Sequence, residues 1–126
     1  MSLNVLVVDD SAVTRAVILK TLSMAGLDLG QTHQAANGRL GLEVLEKEWI
    51  DLILVDINMP VMNGEEMIAA VRENPLWADI PIIVVSTEGS VTRIDRLQSN
   101  GVTFVHKPFT PEAICNVVQG LTEVTQ

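Results

Sequence analysis

The stretch Leu52-Ile53-Leu54-Val55-Asp56-Ile57-Asn58-Met59-Pro60 decides the reading of the chain. Four consecutive apolar residues without polar alternation suit a strand buried on both faces, as in a parallel sheet. The run stops at an acid, and Met59-Pro60 ahead of Asn63-Gly64 marks a loop. The same pattern recurs outward in both directions. Val5-Leu6-Val7-Val8 runs into Asp9-Asp10, Ile80 to Val85 runs into Ser86-Thr87, and Val102 to Val105 leads to Lys107. Pro81 falls near the start of its run, where a missing N–H is tolerated. A weaker run, Thr32 to Ala36, includes His33 and Gln34 and reads as an edge strand.

Segments with helical spacing separate these runs. Val13, Val17 and Leu22 mark the first, Leu40, Val44 and Leu45 the second, and Met67, Ile68 and Val71 the third. Val91, Ile94 and Leu97 form a stripe in the fourth, with Arg93, Asp95 and Arg96 on its other faces. Ala113, Ile114, Val117, Val118 and Leu121 form the last stripe. Thr110 is placed to cap that helix, with Pro111 at its first position and Glu112 in its first turn. Strand and helix thus alternate five times. This predicts an α/β fold, a doubly wound, mostly parallel open sheet with helices on both faces. Ligands of such sheets bind beyond the carboxyl ends of the strands.

Composition narrows the function classes. A chain of 126 residues is expected to form one domain, 1–126, with a core large enough to need no disulfide or metal. Hydrophobic residues at 48% and charged residues at 19% exclude an intrinsically disordered chain. Sixteen acids against eight Lys and Arg give a net charge of −8, which argues against a strong grip on nucleic acid or anionic membrane. The single cysteine, Cys115, excludes an intramolecular disulfide and points to a reducing compartment; on its helical stripe it reads as a small buried hydrophobe. Met1-Ser2-Leu3-Asn4 carries no basic leader, and no apolar run approaches about 18 residues. A cytoplasmic location is the expectation. Trp49 and Trp77, near helix–strand joins, read as packing residues.

If the strands are parallel, Asp9, Asp10, Asp56, Ser86 and Lys107 converge on one edge of the sheet. Clustered carboxylates repel unless a cation intervenes. Oxygen ligands without His or Cys select a hard ion such as magnesium, which is usually held by one or two carboxylates plus a phosphate. Lys107 as a point charge and the Ser86 hydroxyl as a donor would suit phosphoryl oxygens, and a carboxylate in such a site can be the nucleophile. Each residue also has a plainer reading. Asp9 or Asp10 would cap the first helix, Asp56 would open a turn, Ser86 would cap the fourth helix, and Lys107 would be solvated. Compatible groups at four strand ends favour the shared site.

Together, Asp9-Asp10 after a Val-rich strand, Asp56-Ile57-Asn58-Met59-Pro60 with Asn63-Gly64, Ser86, and Phe104-Val105-His106-Lys107-Pro108-Phe109 resemble a response-regulator receiver domain, over essentially the whole chain. The resemblance implies a flavodoxin-like strand order, 2-1-3-4-5. It also implies that Asp56 is the phosphoacceptor. Asp10 is then a direct Mg²⁺ (or Mn²⁺) ligand, Asp9 acts through a metal-bound water, and Asn58 offers its backbone carbonyl. Ser86 and Lys107 contact the phosphoryl group, Lys107–Pro108 is cis, and Phe104 is the aromatic switch that turns inward with Ser86. Asn58, Thr87 and Glu88 flank the acceptor and tune hydrolysis. Phe104 replaces the commoner Tyr, and Thr87 a smaller residue.

The family also implies partners. The donor is a histidine kinase or phosphotransfer protein, so His33 and His106 are not donors. The output is a binding face formed by the fourth helix, fifth strand and fifth helix. With the chain ending soon after its fifth helix, a stand-alone receiver is expected, either a chemotaxis-type regulator or an intermediate carrier in a phosphorelay. It would be a monomer or weak dimer with no direct nucleic-acid contact and no membrane insertion, catalysing only its own phosphotransfer and dephosphorylation. A phosphorylation-independent module fits less well, because acceptor, acids and lysine are all present. A phosphatase resembling haloacid dehalogenases would want an acid at Asn58.

Overall fold

The computed structural model describes residues 2–124. Strands and helices alternate as β1 (Leu3–Val8), α1 (Ala12–Met24), β2 (Leu29–Ala35), α2 (Gly38–Lys47), β3 (Leu52–Val55), α3 (Gly64–Glu73), β4 (Ile82–Ser86), α4 (Val91–Gln98), β5 (Thr103–His106) and α5 (Pro111–Val124). All pairings are parallel, and the order is β2-β1-β3-β4-β5. Register places Val8 beside Ala35 and Val55, so β1, β2 and β3 end level, and Val55 beside Val84, so β4 and its partner β5 run two residues further, to Ser86 and His106.

The continuous apolar runs follow from two cores, one on each face of the sheet. Val5, Val7, Leu52, Leu54, Ile83 and Val85 pack under Ile18 and Leu22 of α1 and Ile114 and Val118 of α5. The alternate residues, Leu6, Val8, Ile53, Val55, Ile82 and Val84, pack under Leu45 of α2, Met67, Ile68 and Val71 of α3, and Leu97 of α4. Burying each such side chain contributes about 1.5–3 kcal/mol, so a polar residue is excluded until the strand leaves the helices.

Several boundaries and faces differ from expectation. β2 begins at Leu29, not Thr32, and ends at Ala35, while Ile80, Pro81 and Val102 precede their strands. The Pro81 carbonyl still accepts the Ile53 N–H at 3.0 Å. On α1 the buried residues are Ile18, Thr21 and Leu22, whereas Val13 and Val17 face out. Leu40 and Val91 are also exposed. Trp77 packs against the α3-side core, but Trp49 is exposed and its indole N–H donates to Asp51 at 2.8 Å. Cys115 is only half-buried, with its thiol 3.8 Å from the Ala25 carbonyl. Among the described residues no helix is long and apolar enough to cross a membrane.

Candidate functional site at the carboxyl edge of the sheet

The carboxyl ends of the strands deliver Asp9 and Asp10 from just beyond β1, Asp56 from just beyond β3, Ser86 from the end of β4 and Lys107 from just beyond β5. Asp9, Asp10 and Asp56 each offer a carboxylate oxygen within 4.8 Å of the others. Asp9 is buried and Asp10 exposed, so the trio runs from the core to the surface. Asp9 accepts the Ser11 N–H at 2.8 Å and the Lys107 ammonium at 3.0 Å. Asp56 accepts its neighbour Ile57 N–H at 2.7 Å through one oxygen and Lys107 at 3.3 Å through the other. Lys107 therefore bridges the acids of two strands. Burial opposes its charge, but the Asp9 hydrogen bond and the Asp56 and Asp9 charges outweigh this and raise its pKa above the ordinary lysine value.

The plainer readings meet different residues. Ser11, not Asp9 or Asp10, caps α1 by accepting the Thr14 N–H. Ser90, not Ser86, caps α4 by accepting the Arg93 N–H. Ser86 is fully buried, with its hydroxyl oxygen accepting the Glu88 N–H at 3.2 Å. Thr110 does cap α5, accepting the Ala113 N–H at 3.1 Å. Lys107–Pro108 is cis. Phe104 is partly buried against the α3-side core, its ring 4.6 Å from that of His106. His33 lies mid-strand opposite Leu6, with a buried Nε2 that has no hydrogen-bond partner.

The β3–α3 loop is held tightly over Asp56. The Gly64 N–H donates to the Ile57 carbonyl at 2.8 Å, and a Cβ on Gly64 would lie 2.2 Å from the Asp56 carbonyl oxygen. Only glycine permits that approach. Asn63 and Glu66 form a reciprocal capping box that starts α3.

One group at the site was missed by sequence reasoning. Arg93, placed off the apolar stripe of α4, reaches back to the loops that follow β3 and β4 and to the start of α3. It donates to Glu88 at 3.0 Å, to Asn58 at 3.5 Å, and through Nε to Glu65 of α3. Arg96 adds a contact to Glu65 at 3.0 Å. Burial alone would raise the Glu65 pKa, but Arg93 and then Arg96 outweigh it and hold the carboxyl below its ordinary range. Glu88 lies 5 residues from Arg93, but Glu65 and Asn58 lie 28 and 35 away, beyond any local signal. Thr87 is exposed and Glu88 half-buried.

The donor set suits a divalent cation of the hard class. All three ligand candidates are carboxylates, and with Lys107 nearby two formal negative charges are left over, which one such ion would balance.

The comparisons with known proteins agree with this geometry. The model of the response regulator receiver domain matches residues 5–119. A chemotaxis protein CheY homolog of Campylobacter jejuni is 37% identical over 114 residues, covering 89% of this chain and 86% of that protein. The sensor histidine kinase CheAY of Helicobacter pylori is 38% identical over 91% of this chain but only 14% of its own length. Chemotaxis response regulator CheY4 of Vibrio cholerae superposes with a TM-score of 0.83 at 35% identity, covering 94% of this chain and 98% of that one. Five parallel strands, the acidic trio beside Lys107 and these matches lead to one conclusion: the chain belongs to the response regulator receiver domain family, of the CheY type, and is a phosphoryl-accepting element of two-component signalling.

Proposed function

We propose that Asp56 is the phosphoacceptor and that the chain, residues 1–126, works as a single switch. The observation that carries this is the Lys107 bridge between Asp56 and buried Asp9 at the edge of the acidic trio. A carboxylate oxygen of Asp56 attacks phosphorus as the bond to the donor's imidazole nitrogen breaks, and the imidazole keeps the electron pair. Lys107 is within reach of the transferred oxygens, and the Ser86 hydroxyl bonds one of them once its strand end shifts. Asp9, Asp10, Asp56 and the Asn58 carbonyl would hold Mg²⁺ or Mn²⁺, which neutralises charge on the phosphoryl oxygens. Asn58 and Glu88 orient the water that later hydrolyses the acyl phosphate, with Thr87 narrowing its path.

The donor is a histidine kinase or phosphotransfer protein in the cytoplasm. The reply passes through Ser86 and Phe104 to the face formed by α4, β5 and α5, where a downstream protein binds. The chain acts as a monomer or weak dimer and catalyses nothing beyond its own phosphorylation and dephosphorylation. Intact-mass measurement with acetyl phosphate tests the acceptor. Wild type is expected to gain one phosphoryl group only with Mg²⁺ or Mn²⁺ present, and Asp56→Asn none. Equal labelling of the two would overturn the assignment.

A further inference from the structure

Two of the side chains that flank Asp56 do not face the site unattended. Asn58 stands two residues after the acceptor and Glu88 two after Ser86, on different loops. One Arg93 nitrogen, Nη1, bonds both, at 3.5 Å to the Asn58 oxygen and 3.0 Å to the Glu88 carboxylate. The guanidinium is anchored from behind, since its Nε donates to Glu65 at the start of α3. Arg96 holds the other Glu65 oxygen. Arg93, Glu65 and Glu88 are all at most one-quarter exposed, so the ion pairs lie partly out of solvent, where screening is weaker.

We propose that Arg93 is a positioning residue that lengthens the life of the phosphorylated state by keeping Glu88 and Asn58 from the attacking water. This rests on the reading of Asp56 as acceptor. In hydrolysis the water oxygen bonds to phosphorus as the bond to the Asp56 oxygen breaks. Asp56 leaves with the electron pair as a carboxylate, and the water proton passes to phosphate or solvent. The water is held best by acceptors free to take its hydrogen bonds. Engaged by Nη1 of Arg93, one oxygen of the Glu88 carboxylate and the Asn58 oxygen are drawn toward the guanidinium and away from a water at the acceptor. The β4–α4 and β3–α3 loops are tied across the mouth by the same group. An apolar side chain of similar length at 93 would release both acceptors while keeping the helix and the stem's packing.

The test is the decay of phosphorylated protein after removal of acetyl phosphate, followed by intact mass. Arg93→Met is expected to decay roughly fivefold faster than wild type, the rate equivalent of a partly exposed ion pair. Glu65→Gln, which loosens the anchor alone, is expected to accelerate decay by a smaller factor. The decisive readout is dependence on the held groups. In an Asn58→Met, Glu88→Leu background, Arg93→Met is expected to change nothing. An unchanged or slower decay in Arg93→Met overturns the proposal, as does full acceleration in that background, which would signal mere loosening of the loops. If Arg93→Met does not fold, Glu65→Gln with and without that background decides by the same criteria. Failure of wild type to label at Asp56 would instead remove the acceptor reading itself.

Discussion

Val61 has a backbone φ of +68°, a region in which a β-branched side chain clashes with its own backbone. The Met62 N–H donates to the Pro60 carbonyl at 2.7 Å, closing a three-residue turn around it. The side chain is exposed, so no packing offsets the strain, which for such residues is about 1–3 kcal/mol. Asn tolerates positive φ better, and Val61→Asn is expected to raise stability by about 1 kcal/mol. Urea midpoints at unchanged slope would show it; a lower midpoint would mean the turn prefers valine. Gly64 behaves oppositely. The atoms a Cβ would meet, the Asp56 carbonyl and Ile57 Cα, are backbone and cannot swing aside. Gly64→Ala is expected to cost roughly 1–3 kcal/mol and, because Asp56 itself is displaced, to slow its labelling as well. Unaltered labelling would show that the loop relaxes without moving the acid.

Elements are tied together by arginines. Arg72 of α3 donates to the Ala78 and Ile80 carbonyls ahead of β4 and to the Asn100 carbonyl ahead of β5, all at 2.8–2.9 Å. Burial lowers its pKa, partly offset by Asp79. Arg72→Met leaves those carbonyls without their charged donor and is expected to cost about 2 kcal/mol, with Asp56 labelling intact. A loss under about 0.5 kcal/mol would mean that water replaces the donor. The Glu65 contacts join α3 to α4, and their pH dependence has a definite sign. A folded-state pKa below the ordinary 4.5 means the contribution is present above that value and lost as pH falls through the folded one. The stability gap between wild type and Glu65→Gln is therefore expected to be up to about 1 kcal/mol at neutral pH and to shrink below pH 4.5. Urea curves across that range check it, and a gap that widens in acid would refute the ion-pair origin.

At the scale of the molecule, the proposed switch would have to reach a distant face through the core that holds Phe104. Ser86 ends β4, and its strand pairs Val84 with Phe104 and Ser86 with His106. Phe104 packs against the core that also contains Leu97 of α4. Movement of Ser86 toward a phosphoryl group thus adjoins the strand that carries the aromatic ring. A ligand shifts such an equilibrium only by its differential affinity, which in the proposed function the Ser86 hydroxyl would provide. Ser86→Ala is expected to accept the phosphoryl group yet show smaller NMR shifts at Phe104 with beryllofluoride. Full-sized shifts would show that the ring responds by another route.

The sequence by itself determined the buried strands and the residues at their ends. Val5–Val8 and Leu52–Val55 are legible because a central parallel strand has helices on both faces and must be apolar throughout. Asp9, Asp56, Ser86 and Lys107 are legible because polarity returns where that cover ends. β2 was half legible, since an edge strand with several exposed residues need not be apolar. The inward face of α1 was not legible: Val13, Val17, Ile18 and Leu22 supply apolar residues around the helix, and only docking on β1 and α5 selects Ile18 and Leu22. Tertiary structure alone decided the Arg93 and Arg72 contacts. Their acceptors come from loops and helices far apart in the chain, and a flexible, charged side chain takes its partner from whatever acceptor the assembled fold brings within reach.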